Sequence, residues 1–191
     1  PPGAEEDGLR RAVVEVDAQF ASGDAARALA LLERLVSAAP PGSSRAMLLS
    51  RQARVRHFAK DIDGSIELLH AALAEAGEDS LLRSEIEEGL AWGLLLARRD
   101  LEAAAGHARS AAATAASRGD DVALAERLEA EGLLELVLGR PWEETMRRAL
   151  ALEPATLELR VLRHPSFAHG YCLSCADELD RARDVFRELG R

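Results

Sequence analysis

The feature that most limits what this chain can fold into is a recurrence. Five segments, beginning at Asp24, Asp61, Asp100, Arg140 and Asp177, open on a turn signal and continue with small or apolar residues at helical spacing. Setting Ala28, Ser65, Ala104, Trp142 and Ala182 at one equivalent position gives a period of about 38 residues. A unit of that length holds two helices, cannot bury its apolar face alone and gains a core by stacking on its neighbours. The recurrence therefore points to an all-α fold: an α-solenoid, wound as a right-handed superhelix, of about five helix-turn-helix repeats.

The individual helices can be read within that frame. Leu9, Val13, Val16 and Phe20 share one helical face, and Gly23-Asp24 stops this helix and caps the next. The second helix ends before Pro40-Pro41-Gly42, after which Ser43 or Ser44 is expected to cap a third carrying Leu48, Leu49, Ala53, Val55 and Phe58. Asp61 opens a fourth, with Ile66, Leu69 and Leu73 inward. Asp79 or Ser80 opens a long helix through Ile86, Leu90, Gly93, Leu94 and Ala97, and Asp100 an alanine-rich one ending near Gly119. Asp121 is expected to cap a helix carrying Leu124, Leu128, Leu134 and Val137; Gly139 ends it, and Pro141 falls where the first turn of the next tolerates proline. Leu157, Leu159 and Val161 alternate with polar residues, but no second strand exists to pair with them, so the segment is read as an irregular connector. The last hairpin has Phe167, Tyr171, Ala182, Val185 and Phe186 as its expected core. A single repeat domain over 1–191 is expected, with hairpins at 5–40, 43–77, 79–119, 120–152 and 165–190 and the connector at 153–164.

Hydrophobic residues make up 48% of the chain, enough for a continuous core, while aromatics are only 4%, which favours closely packed helices over sheets. A net charge of -9 repels phosphate backbones and argues against direct DNA or RNA binding. No stretch approaches the roughly 20 apolar residues that cross a bilayer, and no signal core is visible, so a cytoplasmic location is expected. The start at Pro1-Pro2 without a methionine suggests a fragment of a longer protein, and arginine supplies every basic residue except Lys60.

The sharpest local motif is Cys172-Leu-Ser-Cys175, with His169 and His164 before it. Thiolates and imidazoles bind zinc, so His169, Cys172 and Cys175 form a candidate set. Structural zinc normally draws its ligands from two separated segments, however, and redox Cys-x-x-Cys pairs sit in a βαβ setting. Ordinary buried thiols of a helix, with no metal, are the expectation. The phosphate-binding glycine loop, the nucleophile elbow, the metalloprotease motif and the calcium loop are all missing, so no enzyme and no cofactor are expected. His57, His70 and His107 stand alone as surface or packed histidines, and the neighbours Glu87-Glu88 and Glu143-Glu144 diverge into solvent.

Four residues interrupt the apolar stripes of first helices in a way that suits a concave binding groove: Arg56, Glu131, Trp92 and Tyr171. Each has a plainer alternative, an internal ion pair for Arg56 and Glu131 and core packing for Trp92 and Tyr171.

Ala28, Leu32, Leu35 and Pro40 fall where the tetratricopeptide repeat places small, bulky, small and proline residues, with Leu35 departing by its size. Three further segments resemble the middle region of the large ATP-binding LuxR-type transcriptional regulators, the family of the maltose-regulon activator. They are the run from Asp100 to Arg109, the Gly139-Arg140-Pro141 break before Arg148-Ala149-Leu150-Ala151-Leu152, and the Arg163-His-Pro-Ser-Phe167 box before Leu179-Asp180-Arg181-Ala182-Arg183. The resemblance spans residues 23–189. It implies a bacterial repeat region that senses a small-molecule inducer or a protein partner and relays this to a covalently linked ATPase module, with a helix-turn-helix DNA-reading domain elsewhere in the protein. The alternative is a free-standing scaffold that binds a peptide segment of a partner, although one lysine leaves it short of a clamp rich in both lysine and arginine.

Overall fold

The computed structural model describes residues 2–153 and 164–190, with side chains from residue 11 onward. All regular secondary structure among the described residues is helical. The helices are α1 (Pro2–Ala21), α2 (Ala25–Ala38), α3 (Ser43–Phe58), α4 (Ile62–Glu75), α5 (Ser80–Ala97), α6 (Leu101–Arg118), α7 (Asp121–Val137), α8 (Glu143–Ala151), α9 (Pro165–Cys175) and α10 (Leu179–Leu189). The side chain of Leu9, and Leu157, Leu159, Val161 and Arg163 of the connector region, lie outside the described residues. The chain packs as two compact units, Pro1–Gly89 and Leu90–Arg191, divided within α5.

Aspartate sets the start of five helices. Asp24 accepts a hydrogen bond from the Arg27 amide at 3.0 Å, Asp61 from Gly64 at 3.0 Å, Asp100 from Ala103 at 3.1 Å and Asp120 from Ala123 at 3.0 Å. At α5, one Asp79 oxygen accepts from both Leu81 and Leu82, each at 3.1 Å. A first turn otherwise leaves its amides unpaired, and each such cap contributes about 1 kcal/mol.

The cap of α7 is thus Asp120, one residue before the expected Asp121, because only the residue preceding the first helical turn can fold its side chain back onto the amides. Neither serine caps α3: its N-cap is Gly42, with φ 139°, and Ser43 is already helical. Glu75 at the end of α4 supplies the missing acceptor, taking the Gly42 amide at 3.2 Å. His164 likewise offers no side-chain cap to α9, and Glu153 accepts instead from the Ser166 amide at 3.1 Å and its hydroxyl at 2.6 Å. Pro141 stands before α8, not in its first turn, and Trp142 is the N-cap of that helix. The indole is buried, but it does not take the mid-helix place that Ala28, Ser65, Ala104 and Ala182 occupy.

In the first unit, α2 packs on α1 behind it and on α3 ahead of it, the stacking that a two-helix repeat requires. Val13 and Val16 of α1, Ala28 and Leu32 of α2, and Leu48 and Val55 of α3 form one buried cluster. Ile66, Leu69 and Ala72 bury the inner face of α4. In the second unit, Leu128, Leu133, Trp142, Met146, Ala168, Cys172 and Leu173 make the core with Ala182. The buried alanines of α6 (Ala104, Ala105, Ala108, Ala111, Ala112 and Ala115) give it a smooth face, which lets α7 approach closely.

The last hairpin departs from expectation at two residues, Tyr171 and Phe186; the Phe186 ring lies over Gly170 at the edge of the core and is 37% exposed. Tyr171 is 51% exposed and is not a core residue, while its neighbours Cys172 and Leu173 are buried. Helix rotation decides this: Ala168, Cys172 and Leu173 share the inward face, and Tyr171 falls beside it.

Candidate functional site

The four groove candidates divide between the units, Arg56 belonging to the first and Trp92, Glu131 and Tyr171 to the second. Arg56 is half-buried near the end of α3, and its guanidinium is engaged. It donates to Asp61 at 2.8 Å and lies 3.9 Å from Glu33. The Gly64 amide and then Arg56 hold the Asp61 carboxyl below the usual carboxylate range. Arg56 therefore fastens the end of α3 to the cap of α4.

Trp92 is half-buried and packs against the core cluster of the second unit. Glu131 is half-buried on α7, where desolvation first and neighbouring Glu135 second push its carboxyl up, with Arg148 and Arg109 opposing. Tyr171 stands over Cys175 one turn later in α9, and the hydrogen bond between them is the largest cause raising its phenol.

His169 sits with its ring 6.2 Å from that of Trp142, and burial lowers its pKa. Cys172 is buried as expected, its thiol pushed up to about 12 by desolvation, but Cys175, the last residue of α9 and off its inward face, is exposed and not buried. Among the described residues no group of three histidine, cysteine or acidic side chains is arranged to hold a metal ion.

A different face emerges on α1 and α3, the first helices of their hairpins. Helix α3 carries Arg45, Arg51, Arg54, Arg56 and His57 and no acidic residue, in a chain whose net charge is -9. Its counter-charges all come from outside the helix. Glu75 lies 3.7 Å from Arg45, and Asp61 and Glu33 face Arg56. A single carboxylate, Asp17 of α1, serves both Arg51 at 3.4 Å and Arg54 at 2.9 Å. Beside this cluster the rings of Phe20 and Phe58 meet at 5.4 Å, and the guanidinium of Arg54 stands 6.0 Å above the Phe20 ring. Phe58 is 64% exposed, far more than a large aromatic needs to be.

Exposed apolar side chains recur at this place in the repeat. Phe58 is the last residue of α3, Leu96 is penultimate in α5 and Val137 last in α7; Phe20 takes the same place in α1 but is half-buried against the core. Leu96 and Val137 are 56% and 54% exposed. The sequence signal for this row was present, an apolar residue three to five positions before each second-helix cap, but apolar residues at helical spacing read as core. Which side of the helix faces out depends on neighbouring hairpins, and that is a tertiary property.

No family model matches the chain, and no curated protein matches it. Solved structures do. The chain is similar to the putative kinesin light chain of Podosopora anserina, with its nearly identical TPR-like repeats, at 16% identity over 95% of this chain and 92% of that one, TM-score 0.76. It is similar to BtubC (BKLC) from P. vanneervenii at 18% identity over 95% and 81%, TM-score 0.73. MamA matches at 16% identity over 91% of each chain, TM-score 0.65. At these identities the likeness is one of fold, and the fold is that of a tetratricopeptide-like helical repeat, an all-α architecture of the solenoid class.

Proposed function

We propose that this chain is a non-catalytic protein-interaction repeat region that takes its partner on the outward side of its first helices. The observation that carries the reading is the bared apolar side chains at the ends of first helices, Leu96 and Val137 in the second unit and, in the first unit by itself, Phe58. Scattered single apolar residues mean little, but recurrence at one repeat position, as at Leu96 and Val137, is what a partner lying along the first helices of one unit would require. Tyr171 is the exposed contact on α9, with Glu131, Trp92 and Arg56 as further contacts. Arg56 could contribute only by sharing its guanidinium with Asp61.

The setting we propose is a bacterial transcriptional regulator of the LuxR type, in which partner or inducer binding here is relayed to a linked ATPase. Its support is the resemblance in the segments 100–109, 139–152 and 163–183. The match to repeat chains such as the kinesin-light-chain-like protein over most of their length favours a second reading, a scaffold in its own right. The parent gene separates the two: a nucleotide-binding loop upstream and a helix-turn-helix domain downstream support the regulator, and their absence supports the scaffold. The shared element, binding on first helices, is tested by placing a photo-crosslinking side chain at Leu96 or Val137 in cells. One discrete adduct at these positions, absent when the probe sits at the exposed Ala113 of α6, is expected; equal labelling at all three would remove the reading.

A further inference from the structure

We infer that the Arg51–Arg54–Phe58 face of the first unit recognises an internal acidic segment of a partner protein, one in which side-chain carboxylates flank an apolar residue. The inference deepens the first-helix reading and rests on it. Two guanidinium groups converge on the one carboxylate of Asp17, so the cluster keeps a net positive charge. The Arg51 contacts are long, 3.4 Å to each Asp17 oxygen. A planar guanidinium fork is satisfied best by a carboxylate of its own, and the Arg54 side chain, 50% exposed, keeps donors toward solvent for one.

Beside the arginines, Phe20 and Phe58 present an aromatic pair whose outer ring is largely bared, with His57 against its edge at 5.7 Å. An apolar side chain next to the incoming carboxylate would cover that ring. The two halves select together: the arginines reject a neutral or basic segment, and the ring rejects a purely charged one. The charge of -9 on the whole chain repels a long polyanion such as nucleic acid. A short acidic segment senses mainly what lies within a Debye length of about 8 Å, and on this face α3 presents Arg51 and Arg54 against the single carboxylate of Asp17.

The test uses the full chain and a short fluorescent peptide with blocked ends, leucine at its centre and aspartate or glutamate on both sides, titrated at physiological salt. Saturable binding is expected, weakened about tenfold or more when the acids become their amides, when leucine becomes serine, or in Arg54→Glu or Phe58→Ser. Arg34→Glu, an exposed arginine on α2, is the charge control and should bind as the parent does. Arg54→Gln replaces Arg54→Glu if thermal melting shows that the charge reversal unfolds the unit. No saturable binding, equal binding of the amide peptide, equal loss in Arg34→Glu, or displacement by an equal concentration of inorganic phosphate would each overturn the proposal. An amide peptide that binds equally and is lost in Phe58→Ser would overturn it while leaving the first-helix reading intact. The crosslinking positions lie in the other unit, so the broader reading fails or survives separately.

Discussion

The ring of Phe186 occupies the space that a Cβ on residue 170 would need: built on Gly170, that atom would stand 2.7 Å from Cε1 and 2.8 Å from Cζ of the ring. The glycine lies inside α9, where it costs about 1 kcal/mol of helix propensity relative to alanine. Its compensation is the close approach of α10, and through it the seating of a 37%-exposed phenylalanine.

Gly170→Ala should therefore destabilise the second unit, by up to about 2 kcal/mol after the propensity gain of about 1 is subtracted from an overpacking cost of about 1–3. Gly106, inside α6, is the contrasting case, because a Cβ added there would have nothing within 4 Å. Gly106→Ala should stabilise by about 0.5–1 kcal/mol. Urea unfolding of the two variants beside the parent checks both signs, and a stabilised Gly170→Ala would show that the ring swings away freely.

Capping gives a comparison one residue wide. Asp120→Ala should cost about 1 kcal/mol by removing the acceptor of the Ala123 amide. Asp121→Ala should cost less, since that side chain offers only a charge near the start of α7, worth about 0.3–1 kcal/mol. Thermal melts of the two single variants decide it, and equal losses would contradict the assigned cap.

Two carboxyls should give opposite pH signatures. Asp61 is held below its ordinary pKa, so its contribution is present above the ordinary carboxylate range and is lost as pH falls through its lowered value. Asp61→Asn should flatten the loss of melting temperature on acidification. Glu131 is raised, so the fold favours its protonated form; that stability is present below the ordinary carboxylate range and is lost as pH rises through the raised value. Glu131→Gln should melt at or above the parent temperature at neutral pH, with the difference closing as the pH falls to the ordinary glutamate value of about 4. A Glu131→Gln variant that is less stable at neutral pH would mean that the carboxylate serves Arg148 or Arg109 structurally.

The thiols should differ in kinetics. Cys175 is exposed, whereas Cys172 is buried with its thiol pushed up to about 12. A thiol-reactive chromophore should label one cysteine quickly in the native protein and the second only on unfolding, Cys175→Ser removing the fast phase. Two fast phases would place Cys172 in a loose segment.

Much of this fold was legible in the residues because its signals are local. The aspartates at 24, 61 and 100 are followed by small and apolar residues, and a cap needs only its own first turn to act. The helix starts that differ from expectation have causes of another kind. Asp120 and Asp121 are both suitable caps, and the choice turns on backbone geometry; at Gly42 and Ser166 the acceptors, Glu75 and Glu153, come from 33 and 13 residues away. The α1 and α3 face was illegible for the same reason. Phe20 and Phe58 lie a full repeat apart and look like core until the stacking shows that their rings meet on the outside.

Helix α3 has a consequence for how such an array can change over time. Its arginines are paired with Asp17 of α1, Glu33 of α2, and Asp61 and Glu75 at the two ends of α4. Duplicating or transplanting the α3–α4 hairpin would carry Asp61 and Glu75 along but strand Arg51 and Arg54 without Asp17, and deleting it would leave Asp17 without either arginine. The first two hairpins are thus a matched set, inherited together, and not interchangeable beads on a string.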